Sequence, residues 1–127
     1  MKLPLDVLLK ELENIAGDLR QKREDFPNDC CTEAAIEIYK KLGFSIESGS
    51  LRGEPHTWNS CNGYYVDITG AQFGLPDIFV VGRKEAVELH GYAPDPAQGK
   101  AVIAFMKACE KAEDIEDLTS LSFARPF

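Results

Sequence analysis

The sequence is short of positive charge. Fourteen lysines and arginines stand against 21 acidic residues, a formal net charge of −7. Binding a phosphate backbone needs a basic surface, so nucleic acid is not expected as a partner, and neither is an anionic membrane. Long apolar runs are missing too, and none of those present could span a bilayer. The opening stretch MKLPLDVLLKELEN is interrupted by Asp6, Lys10, Glu11 and Glu13 and leads to no small-residue cleavage site. It does not read as a signal peptide. These absences predict a soluble, cytoplasmic chain, or one exported by a system that needs no signal peptide. CxxC and HxxxH spacings are absent as well. Cys30, Cys31, His56, Cys61, Asp67 and His90 offer ligand atoms, but adjacent cysteines rarely serve one tetrahedral ion. No metal and no other cofactor is expected. Nothing marks a disulfide-stapled scaffold, so all four cysteines are expected as reduced thiols.

What is present is ordinary for a globular chain: 127 residues, 44% of them hydrophobic. There is no repeat, low-complexity tract or linker, and one domain is expected over residues 1–127. Leu5, Leu8, Leu9, Leu12, Ile15 and Leu19 recur at helical spacing, which predicts an amphipathic helix over 4–23. Pro27 breaks it, Asp29 is a good N-cap, and a second helix is expected over 30–42, stopped by Gly43. Strands are expected at 44–52, 55–60, 64–69 and, from its continuous apolar run, at 77–82, with a short one at 87–92. Asp95-Pro96 opens a last helix through Cys109, and a short helix is expected over 113–121. Two helices, a run of strands and a helix predict an α+β fold: N-terminal helices packed on a mostly antiparallel sheet, then a C-terminal helix.

Cys30 and Cys31 open the second helix, where the positive end of the helix dipole favours a thiolate. Cys31 lies in line with Ala35, Ile38 and Leu42, the stripe that must pack on the sheet. Cys30 lines up with Ala34, Glu37 and Lys41, a more solvated stripe. If a reactive partner sits on the sheet, Cys31 points to it. A cysteine in such a place is more often a small buried apolar residue than a nucleophile.

Asn62-Gly63 is a strong signal for a two-residue type I′ hairpin. That turn pairs Cys61 with Tyr64, Trp58 with Asp67 and His56 with Thr69. His56, Trp58, Ser60, Tyr65, Asp67 and Thr69 then share one face. His56 and Asp67 become diagonal neighbours, about 7 Å apart at the backbone, a gap an imidazole and a carboxylate can bridge. A thiol at a helix end, a histidine on a facing strand and a carboxylate one strand over are the parts of a cysteine-based triad.

DCCTEAA at a helix start, then HTW, then YYVDITGAQF, resembles the papain-like/transglutaminase-like superfamily of cysteine hydrolases. The likeness is greatest to small bacterial members with a cysteine–helix segment, an H-x-W strand and a D-I-T-x-x-Q-F strand end. It covers residues 25–82. It implies a papain-like core with Cys31 as nucleophile, His56 as base and Asp67 as the group that orients the imidazole. Cys30 remains the alternative nucleophile. The implied reaction is attack on an amide through a thioester, as in a peptidase, amidase, deamidase or transglutaminase, without a cofactor. An oxyanion needs donors, and besides the nucleophile's own N–H the side-chain candidates are Asn28 and Gln72. Trp58 either shields the His–Asp pair, lines the cleft or simply packs. A chain this small points to a protein or peptide substrate, as for a bacterial effector or toxin with a cognate inhibitor or immunity protein. The alternative is a binding or immunity-type module that keeps the fold without the chemistry and offers its acidic surface to a basic partner.

Overall fold

Helix α1 (Leu5–Lys22) buries Leu12, Ile15, Ala16 and Leu19, the stripe its periodicity marks. The structure, a computed structural model, describes residues 3–115. After α1 come α2 (Cys31–Leu42), β1 (Ser45–Leu51), β2 (Glu54–Cys61), β3 (Tyr64–Asp67), a 3-10 turn (Gly70–Phe73), β4 (Phe79–Gly82), α3 (Arg83–Leu89), β5 (Tyr92–Pro94) and α4 (Pro96–Ile115). The expected helix over 113–121 falls partly in the end of α4, and the rest lies outside the described residues. The fold is α+β, and the five strands form one sheet in the order β4-β3-β2-β1-β5 with every neighbouring pair antiparallel.

Both faces of the sheet are covered. On one, Ala34 and Ile38 of α2 join the α1 stripe over Val66 and Ile68. Beside them Val102 and Met106 of α4 pack with Ala35 and Ile46. On the other face Leu51, Trp58, Tyr65, Val81 and Tyr92 form a second core with Ala86 of α3 and with Leu75, which follows the 3-10 turn. The alternation of strand side chains makes this division. Along β2, Asn59 faces α2 while His56 and Trp58 face the aromatic core.

Several expectations need correction. Residues 83–89 are helical where a strand was expected over 87–92, and only Tyr92 onward is extended. Val87 and Leu89, which suggested strand alternation, are 42% and 72% exposed, and Ala86 is the residue that α3 buries. The apolar run at 77–82 is an edge strand, β4, and is mostly half-buried rather than enclosed. Asp29 does not cap α2: it adopts φ 57, and Cys30 takes the N-cap position without a side-chain cap bond. The Cys30 stripe is solvated only toward its far end: Cys30 and Ala34 are buried, Glu37 is half-buried and Lys41 is exposed. Asp95 does open α4, its Oδ1 accepting the Ala97 N–H at 3.0 Å.

Candidate active site

The β2–β3 turn has φ 50 at Asn62 and φ 82 at Gly63, the two positive values a type I′ turn requires. Its ladder pairs Cys61 with Tyr64, Ser60 with Tyr65 and Asn59 with Val66. That is the register Asn62-Gly63 predicts next to the turn, but the ladder stops at Asn59, and the expected pairings of Trp58 with Asp67 and His56 with Thr69 do not form. The side chains still meet: His56 Nε2 lies 2.7 Å from Asp67 Oδ2, with His56 wholly buried and Asp67 2% exposed.

Asp67 is the hub. Its Oδ2 also accepts from the Tyr92 hydroxyl at 2.6 Å. Its Oδ1 accepts from the Thr69 N–H at 2.9 Å and the Thr69 hydroxyl at 3.1 Å. The Thr69 contacts arise locally, because an aspartate readily bonds the backbone two residues on and so ends a strand. Burial works against the Asp67 anion, but His56, Tyr92 and Thr69 overcome it and hold the carboxyl below its ordinary range. For His56, burial again opposes charge. Asp67 first, and then Cys31, outweigh it and raise the imidazole from 6.5 to about 9. The ring is therefore an imidazolium at neutral pH, bound to a carboxylate.

Cys31 is the first residue of α2 and is 6% exposed. The helix lies over β2, fastened by Asn59 Nδ2 donating to the Ala35 carbonyl at 3.0 Å. β3 leaves β2 beyond Asn59, so no strand pairs with His56 on that side, whereas β1 pairs with it through Gly49. The Cys31 sulfur lies near enough to help raise the imidazole's proton affinity. Nδ1, the ring nitrogen Asp67 leaves free, is buried without a hydrogen bond of ordinary geometry. Of the three residues read from the sequence as one group, His56 and Asp67 are hydrogen-bonded, and Cys31 stands near enough to act on the charge of the ring.

Cys30 points elsewhere. Its sulfur sits 3.9 Å from Asp25 Oδ1. Burial pushes its thiol up to about 11, with Arg23 opposing and Asp25, Glu33 and Asp29 adding to the rise. A thiol so placed is a poor nucleophile at neutral pH. Arg23 organises this corner, bonding Asp25 at 3.1 and 3.0 Å and pairing with Glu33 in the first turn of α2. The pairing ties the end of α1 to the start of α2, and so to the position of Cys31.

The other candidates divide. Trp58 is 1% exposed and stacks on His56 with ring centroids 5.9 Å apart and planes 20° apart. Gln72 is half-buried in the 3-10 turn, next to Phe73, whose ring meets His56 edge-on at 5.0 Å. Asn28 is exposed, its backbone N–H closing a turn onto the Asp25 carbonyl at 2.7 Å. Sequence reasoning placed Thr69 on this face but gave it no bond, and it missed Phe73 and Tyr92. An aspartate followed at the second position by threonine was the signal for Thr69. Tyr92 stands 25 residues from Asp67 with no local pattern to announce it.

All four cysteines are free thiols. Among the described residues no group of three histidine, cysteine or acidic side chains is arranged to hold a metal ion. No helix among them is long and apolar enough to cross a membrane. No protein-family model, curated protein or solved structure matches the chain.

Proposed function

We propose that the protein is a cysteine-dependent acyl-transfer enzyme of papain-like/transglutaminase-like core that acts on amide bonds. One observation carries the reading: a buried imidazole is held through Nε2 by a buried carboxylate, and Cys31 at the start of α2 bears on the same ring. A neighbouring imidazolium favours the thiolate, which is the nucleophile. The Cys31 sulfur attacks the acyl carbon. The oxygen that gains charge meets the N–H groups of the first turn of α2, which no side chain caps. His56 gives its proton to the departing amine, and a thioester remains on Cys31. In the second half His56 takes a proton from water or an incoming amine, which displaces the sulfur and restores the thiolate. Water makes the enzyme a peptidase, amidase or deamidase, and an amine makes it a transglutaminase. The substrate is a protein or peptide, in keeping with an effector or toxin that meets a cognate inhibitor or immunity protein.

A second reading has its own support. His56 has no exposed surface and Cys31 only 6%. A closed site of this kind also suits a binding or immunity-type module that retains the fold without turnover. Iodoacetamide labelling of the folded chain, followed cysteine by cysteine, separates the two. The enzyme reading predicts that Cys31 labels fastest at neutral pH and slows about tenfold or more in His56→Gln. Labelling of Cys31 no faster than Cys61 and Cys109, and indifferent to His56→Gln, selects the binding module.

A further inference from the structure

One of the bonds on Asp67 comes from far along the chain. Tyr92, at the start of edge strand β5, donates to Oδ2 at 2.6 Å, the same oxygen that accepts from His56 Nε2. Two donors therefore share one oxygen, while Thr69 serves the other. The Tyr92 side chain is 1% exposed and its ring packs edge-on against Trp58 at 5.0 Å and Tyr65 at 5.6 Å. Packing thus fixes its rotamer. β5 is carried to this place by pairing with β1, Leu51 opposite Tyr92 and Gly49 opposite Pro94. Burial, and then the Asp67 charge, hold the phenol well above the tyrosine range, so it stays a donor.

Resting on the acyl-transfer reading above, we propose that Tyr92 is a positioning residue whose hydroxyl orients the Asp67 carboxylate and tempers its basicity, so that His56 remains an acid able to release its proton. A carboxylate oxygen that bonds only the imidazolium holds it tightly and makes it a weak acid. A second donor on that oxygen stabilises the anion independently and loosens the grip. The titratable and charged neighbours are Cys31 from α2, Asp67 and Tyr65 from β3, and Arg52 from the β1–β2 turn. Among the described residues, only His56 and Tyr92 have side-chain bonds to Oδ2.

The test is an NMR titration of His56 in the full chain, whose only other histidine, His90, is assigned with His90→Gln. Tyr92→Phe removes the hydroxyl and keeps the ring. The His56 midpoint then rises by about half a pH unit or more, roughly threefold in proton affinity. Difluorotyrosine at position 92 is a stronger donor and lowers the midpoint. A midpoint unmoved by both changes, or moved in the same direction by both, overturns the proposal, since a purely structural tyrosine does not respond in opposite senses. If Tyr92→Phe does not fold, the fluorinated chain decides alone: a lower midpoint supports the role, an unchanged one ends it. Failure of the enzyme reading looks different. Opposite shifts with a Cys31 inert to acyl probes remove the acyl transfer and keep the coupling, whereas an acyl adduct with a fixed midpoint removes only the role of Tyr92.

Discussion

Removing the His56 side chain outright strands a buried anion, so the choice of variant matters. His56→Ala leaves Asp67 without its ring partner and costs about 3–5 kcal/mol, the usual penalty for breaking a buried pair from one side. His56→Gln keeps an amide donor for Asp67 and removes the acid–base group. Its expected outcome is a folded chain by circular dichroism with no acyl adduct on Cys31. Cys31→Ala likewise abolishes the adduct, whereas Cys30→Ala leaves it in place, because the Cys30 thiol faces Asp25 and is pushed up to about 11. Asp67→Asn reverses the balance on the imidazole: burial, which lowers its proton affinity, is no longer opposed by a carboxylate. The His56 midpoint should fall well below 9 in an NMR titration. The buried stripe that carries Cys31 was legible in the sequence, since helical spacing put it in line with Ala35 and Ile38. The environment of Cys30 was not, because the bend over 23–29 folds back on it and sets Asp25 beside its sulfur.

At the level of elements, the site depends on how closely backbone can approach backbone. A Cβ on Gly49 would fall 2.1 Å from the Ala93 carbonyl oxygen and 2.8 Å from the Asp95 nitrogen. Real structures do not tolerate such contacts, so Gly49→Ala must push β5 from β1 and carry Tyr92 with it. The expected result is a loss of about 1–3 kcal/mol in a denaturant melt, and a His56 midpoint that drifts upward as in Tyr92→Phe. Asn59→Ala cuts the bond that fastens α2 to β2 and should cost about 1–3 kcal/mol and slow Cys31 labelling. The hairpin was readable from two residues, because Asn62 and Gly63 accept the positive φ that sets the register. The segment around Val87 was not. Its apolar residues face solvent, and an apolar pattern signals structure only when its owner is buried.

For the whole molecule, the buried pair makes stability depend on pH from both sides. Asp67 is held below its ordinary 3.8, so its contribution is present above that value and is lost as pH falls toward its folded value. His56 is raised from 6.5 to about 9, so its contribution is complete below 6.5 and fades as pH climbs to about 9. The melting temperature should peak between these limits and decline above neutrality, and Asp67→Asn should flatten the alkaline side of the curve. The α+β order was legible because helical and strand periodicities follow one another along the chain. The division of the sheet into a helix-covered and an aromatic face was not, since Trp58, Tyr65 and Tyr92 meet only through tertiary packing. The site draws on both faces: the sulfur comes from the helix side and the imidazole from the aromatic side. The most direct trial of that junction is mass spectrometry of the intact chain, its His56→Gln variant and their peptides after exposure to an electrophilic acyl probe at neutral pH. A single thioester on Cys31 that disappears in His56→Gln is the predicted result, and an adduct on Cys30, or one on Cys31 that persists without the imidazole, contradicts it.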